Sequence, residues 1–228
     1  MTASFTTADG TQVILRRSAR ARRMTLRVAR HGGDVVLTLP PRVSEAEGRA
    51  FAESKSDWLR RAVARLPLAQ QVAAGVLLPV AGQGVVVTPA RIRAARIEGA
   101  ALLVPEGRPA GPVVQAFLKH RAQLALLDCC TCHAAALGRP YRAISLRDTR
   151  SRWGSCTLDG RLMFSWRLAM APHEVLDYVA AHEVAHLAHM DHSPRFWAAV
   201  ERLMPGYGSR RLWLRQQGDG LLAWRFRD

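Results

Sequence analysis

The chain has 228 residues, 49% apolar and 22% charged, which excludes a disordered polyelectrolyte and fits one large or two small folded domains. Its net charge is +15, and with Lys55 and Lys119 its two lysines, 31 of its 33 cationic side chains are arginine. Arginine forks suit phosphate and carboxylate partners, but a solvated basic surface carries the same charge, so composition assigns no partner by itself.

The opening MTASFTTADGTQ has no basic-then-apolar leader, and the longest apolar run, residues 72–82, is too short for a bilayer. A cytoplasmic protein with no membrane partner is therefore expected. Met24, Leu26 and Val28 alternate with polar or small neighbours, HGGD at 31–34 signals a turn, and Val35, Leu37 and Leu39 alternate again, which predicts a hairpin ended by Pro40-Pro41. Between predicted strands lies the run Arg16, Arg17, Arg20, Arg22 and Arg23, able to track phosphates of a nucleic acid or to stand solvated. It has no aromatic residue for base stacking. Ser44 and Glu47 form a capping box, and one helix over 44–66 should carry Phe51, Trp58, Ala62 and Leu66 on one face. Short strands are expected at 84–88, 91–97 and 101–104.

EGRPAGP at 106–112 marks a boundary between a domain of residues 1–107 and one of residues 108–228. Beyond it the pattern predicts a long helix over 112–137 stopped by Gly138, a strand over 142–147, and a turn at Asp159-Gly160. Leu162, Phe164, Trp166 and Leu168 then alternate with Arg161, Met163, Ser165 and Arg167 as in a strand, and Pro172 opens another helix. An extended peptide can pair along an edge strand, so the strand Arg161 to Arg167 is a candidate binding strand if it lies at an edge.

The stretch AAHEVAHLAHMDHSPRFW at 180–197 carries the chemistry. His182 and His186 are four apart, so on a helix both rings reach one ion, and Glu183 beside them completes H-E-x-x-H. Zinc takes such nitrogens and acidifies a water, whose proton Glu183 can accept. His192 is the better third ligand, because Ser193-Pro194 begins a new helix and leaves His192 in a loop able to turn back; His189 is expected in a supporting or exposed place. CCTCH at 129–133 contains C-x-x-C-H, with Cys129, Cys132 and His133, but a helix face of small residues explains it better than haem, which is not expected. A second metal site using Cys130 stays open, and Cys156 reads as a small core residue.

SRWGSC at 151–156, GRLMFSWRLAMAP at 160–172, DYVAAHEVAHLAHMDHSPRFW at 177–197 and RRSARARRMTLRV at 16–28 together resemble the YgjP-like metal-dependent hydrolases, relatives of SprT-type and Wss-type zinc metallopeptidases. The resemblance implies an α+β fold: a zincin-like catalytic domain with its motif helix on a small sheet, behind a β-rich N-terminal domain with one helix. It implies Zn2+ on His182, His186 and His192, with Glu183 as the base. It also places SRWGSC at the site. Arg152 could stabilise an oxyanion or bind phosphate, Trp153 line a pocket or stack on a base, and Gly154 and Ser155 bring backbone close to substrate. Three functions follow: a metallopeptidase acting on a peptide or protein, a pyrophosphatase acting on a nucleotide such as uridine triphosphate, as one such protein is described, or a DNA-associated zinc-binding module. Three ligands and an intact Glu183 argue against the last, since structural zinc sites close with four ligands.

Overall fold

The computed structural model describes residues 3–28, 34–64 and 67–227, which form two compact units, Met1–Ala69 and Gln70–Asp228. The sequence reading placed a boundary at 107/108. The units divide earlier because the strands of 77–105 share a core with the helices that follow: Val85, Val87, Leu102 and Val104 are buried with Val114, Leu118 and Phe164. No helix is long and apolar enough to cross a membrane among the described residues.

In the first unit β1 (Ser4–Thr6), β2 (Gln12–Arg17), β3 (Thr25–Val28) and β4 (Val35–Leu39) form a sheet of order β1-β2-β4-β3. Strands β3 and β4 pair antiparallel as the alternation predicts, while most of the expected HGGD turn lies outside the described residues. The capping box is present at Ser44, but the expected single helix is two, α1 (Glu45–Glu53) and α2 (Ser56–Ala64). The break turns the apolar face: Leu59 is fully buried, whereas Trp58 is 45% exposed. Leu66 lies outside the described residues. Within the arginine run, Arg17 donates to the carbonyls of Pro40, Pro41 and Val43 at 2.8–3.1 Å and so braces the corner after β4, while Arg16, Arg20, Arg22 and Arg23 are exposed.

The second unit opens with β5 (Gln70–Gln71). A four-stranded sheet follows from β6 (Leu77–Val80), β7 (Gln83–Ala90), β8 (Arg96–Glu98) and β9 (Ala101–Pro105), in the order β6-β7-β9-β8. The helix α3 (Ala110–Leu137) runs 28 residues and ends, as expected, with Gly138 in the left-handed region at φ 69°. A second sheet, order β10-β12-β11, is built from β10 (Ala143–Arg147), β11 (Gly154–Cys156) and β12 (Arg161–Ser165). Three helices complete the unit, α4 (His173–Ala185), α5 (Pro194–Leu203) and α6 (Gly208–Leu222), before β13 (Trp224–Arg225) pairs with β5.

Two expectations for the stretch 161–168 change. Its strand ends at Ser165, and Trp166–Met170 is a 3-10 helix. Strict alternation would face Arg167 to water, yet it is 3% exposed. Its Nε and Nη2 donate to Asp148 at 2.6 and 3.3 Å, and Nη1 donates to the carbonyls of Leu221 and Trp224, both at 2.9 Å. The guanidinium stacks on Trp166 and Phe226, so one residue ties the segment before β11 to the end of α6. Strand β12 is also the central strand of its sheet and not an edge; β10 and β11 are the outer strands. Arg167→Met is expected to cost about 3–5 kcal/mol, because it leaves the Leu221 and Trp224 carbonyls and Asp148 without a donor. Denaturant unfolding checks this; a loss below about 1 kcal/mol would show that the clasp is dispensable.

Candidate metal centre and its surroundings

Helix α4 is held on one side by Val175, Leu176, Val179, Ala180 and Val184, all buried. That anchoring fixes where His182 points. His186 closes the helix as its C-cap, still with helical backbone, and keeps the one-turn offset from His182. The chain then turns, and Ser193 caps α5 by accepting from the Phe196 N–H at 3.5 Å. His192, one residue before that cap, swings back to the other two.

The three histidines present ring nitrogens within 4.8 Å of one another, and the Nε2 atoms of His182 and His192 are 3.3 Å apart. Two nitrogens on a tetrahedral zinc at ~2.0–2.1 Å stand about 3.3–3.4 Å apart, so this spacing fits one ion. The ring chemistry fits as well. Burial, then His186, His192 and Arg211, push His182 down to about 3, and burial foremost lowers His186. Both imidazoles therefore offer lone pairs at neutral pH. Nδ1 of His186 donates to the His189 carbonyl at 2.9 Å, which leaves Nε2 for a ligand. This is the place of His189: its backbone, not its ring, supports the cluster. Nδ1 of His182 is buried with no hydrogen-bond partner among the described residues. Packing holds that ring instead, with Phe196 at 4.9 Å and Trp197 at 5.7 Å between centroids.

Glu183 is 5% exposed, and burial raises its carboxyl to about 8 against the opposing pull of Arg152. Strand β11 lies directly over it. A Cβ on Gly154 would fall 2.6 Å from both Cγ and Oε1 of Glu183, so only glycine lets the strand pass. The rest of SRWGSC divides between two surroundings. The Trp153 indole is half-buried and packs on α6 at Gly218, where an added Cβ would meet it at 3.0 Å. Arg152 and Ser155 line a cleft of about 590 Å³ with Ser151, Arg147, Arg161 and Met163. Cys156 is half-buried, and burial pushes its thiol up to about 11.

Cys129 and Cys130 are buried and Cys132 is exposed. Burial pushes the Cys129 and Cys130 thiols up, Cys130 to about 12, so neither supplies a thiolate near neutral pH. His133 is spent on Asp177, Nε2 to Oδ1 at 2.7 Å; although burial opposes it, this pairing holds the Asp177 carboxyl below its ordinary range. Sequence reasoning missed an aromatic wall beside the histidines. Tyr178 stacks on Tyr207 at 5.9 Å and Tyr207 on Trp197 at 5.5 Å, and Trp197 is 5.7 Å from the rings of both His182 and His192. Tyr207 comes from the start of α6, and nothing in its local sequence announces the contact.

The YgjP-like metallopeptidase domain matches residues 22–217, and the chain belongs to this family. It is thus a metallohydrolase with an α+β fold, and its family implies a metal ion that the histidine cluster can hold. No curated protein is a significant match to the sequence. Among solved structures, the metallopeptidase zymogen of Pyrococcus abyssi abylysin is similar at 22% identity over 41% of this chain and 92% of that one, with a TM-score of 0.36.

Gly154→Ala is expected to displace the Glu183 carboxyl and cut peptide hydrolysis by about a hundredfold while metal content stays at the wild-type level. Rate and metal stoichiometry measured together check it. Unchanged hydrolysis would mean that the strand can shift without moving the acid.

Proposed function

We propose that the protein is a zinc-dependent peptidase, with the ion on His182, His186 and His192 and Glu183 as general base. The observation that carries this reading is the buried Glu183 carboxyl, next in sequence to the first of three imidazoles with metal-sized spacing and directly beneath an outer strand of its sheet.

When bound, zinc supplies a Lewis acid that polarises a carbonyl and acidifies a water. Glu183 takes the proton of the attacking water and returns it to the departing amine. To accept that proton Glu183 must be ionised; burial opposes this, and the positive charge of a bound ion, together with Arg152, would favour it. The outer position of β11 supports a peptide as the substrate, because an extended chain can add to an edge strand by backbone hydrogen bonds and lie across the site. Arg152, whose charge opposes the effect of burial on Glu183, is the candidate to stabilise developing negative charge. Trp153 acts here by setting the corner that leads into β11, and Gly154 and Ser155 supply backbone to the substrate.

The test is digestion of an unfolded protein and a mixed peptide pool by zinc-loaded enzyme, with nucleoside triphosphates included and every species followed by mass spectrometry. Glu183→Gln is expected to slow peptide cleavage by about 10²–10⁴-fold, and a chelator to abolish it until zinc is restored. Equal cleavage by Glu183→Gln would remove the base from the mechanism. Glu183-dependent loss of a triphosphate with peptides intact would overturn the peptidase reading.

A further inference from the structure

Beyond the histidines, a fixed cation faces the site from α6. The Arg211 N–H donates to the Tyr207 carbonyl at 3.0 Å, so the two residues sit one turn apart, and both side chains lie against Trp197. The Arg211 guanidinium carbon is 4.5 Å from the centre of the Trp197 ring, and that ring is 5.7 Å from both His182 and His192. One indole therefore touches both the cation and two of the three histidines.

The stack also decides what Arg211 can bind. The contact with the indole confines the guanidinium, whose N–H groups remain available as donors to a ligand. Arg211 is exposed and opens on a cleft of about 550 Å³ lined by Glu201, Tyr207, Gly208, Leu212 and Arg215. The acid in that lining, Glu201, accepts the Gly206 N–H at 2.9 Å, and Arg215 lies one turn beyond Arg211 on the same helix. A planar fork with a second cation behind it matches a carboxylate, which can accept two parallel hydrogen bonds.

We infer that Arg211, held on Trp197, forms a substrate subsite for a carboxylate, beside the metal centre on its α6 side. The carboxylate belongs to the peptide, either as an acidic side chain or as the free chain end, so the inference rests on the peptidase reading. Arg211 is a specificity-determining residue in this arrangement.

The experiment is equilibrium binding of three labelled peptides of one neutral sequence to zinc-loaded Glu183→Gln protein, whose slowed turnover leaves the peptides intact while binding is read. One peptide is amidated and neutral, the second is amidated with one glutamate, and the third is neutral with a free C-terminus. A carboxylate-bearing peptide is expected to bind about tenfold tighter than the neutral one, and the peptide that shows the gain identifies the source. Arg211→Gln removes the gain, and Arg211→Lys, which keeps the charge but not the fork, retains part of it. Equal binding of all three, or a gain that survives Arg211→Gln, overturns the subsite. Wild-type enzyme is given the same peptides in parallel. If it cleaves none of them, the peptidase reading fails separately, because the binding comparison does not depend on turnover.

Discussion

A carboxyl group with almost no access to water lies in the centre of the second unit, and much of the local architecture serves to keep it there. A carboxylate in such a place is costly, so Glu183 holds its proton far above the usual range. The strand above it must be glycine at position 154, because any side chain would strike the acid. The helix that carries it must be small around it, and Ala180, Ala181 and Ala185 are all buried. The same burial keeps His182 neutral, so one desolvated pocket holds both the carboxyl and an imidazole with a lone pair to offer.

Such a pocket needs a stiff frame. Helix α3 runs along the core with α4 and the 3-10 segment against it, and the buried Arg167 clasp fixes the end of α6 to the segment that leads into SRWGSC. Helix α6 in turn supplies Tyr207, whose ring continues the wall from Tyr178 to Trp197. The candidate ligands come from one helix and the loop after it, but the walls come from Gly154 on β11, Tyr178 on α4, Trp197 on α5 and Tyr207 at the start of α6.

That separation explains what could be read in the chain beforehand. H-E-x-x-H, the Ser193-Pro194 helix start and the alternation around the first hairpin are local signals, and each depends on neighbours within about a dozen residues. The long helix before Gly138 is equally local. The misread elements turned on tertiary contacts. The amphipathic pattern over 44–66 gave no sign of the break between α1 and α2, and that over 161–168 could not show that Arg167 would be buried by carbonyls from Leu221 and Trp224. The status of β12 as a central strand depends on β10 and β11 pairing on its two sides, which is topology and not pattern. SRWGSC attracted notice through resemblance; why its glycine is needed became visible only when β11 was seen against Glu183.

The central claim is that three histidines, and no thiol, hold the ion. X-ray absorption spectroscopy of the zinc-loaded protein addresses it directly. The predicted spectrum contains only light scatterers at ~2.0–2.1 Å with the multiple scattering of three imidazoles, and His192→Ala removes one of the three. A sulfur scatterer at ~2.3 Å, or an imidazole count unchanged in His192→Ala, would contradict the claim and move the metal to the cysteines at 129–132 or to Cys156.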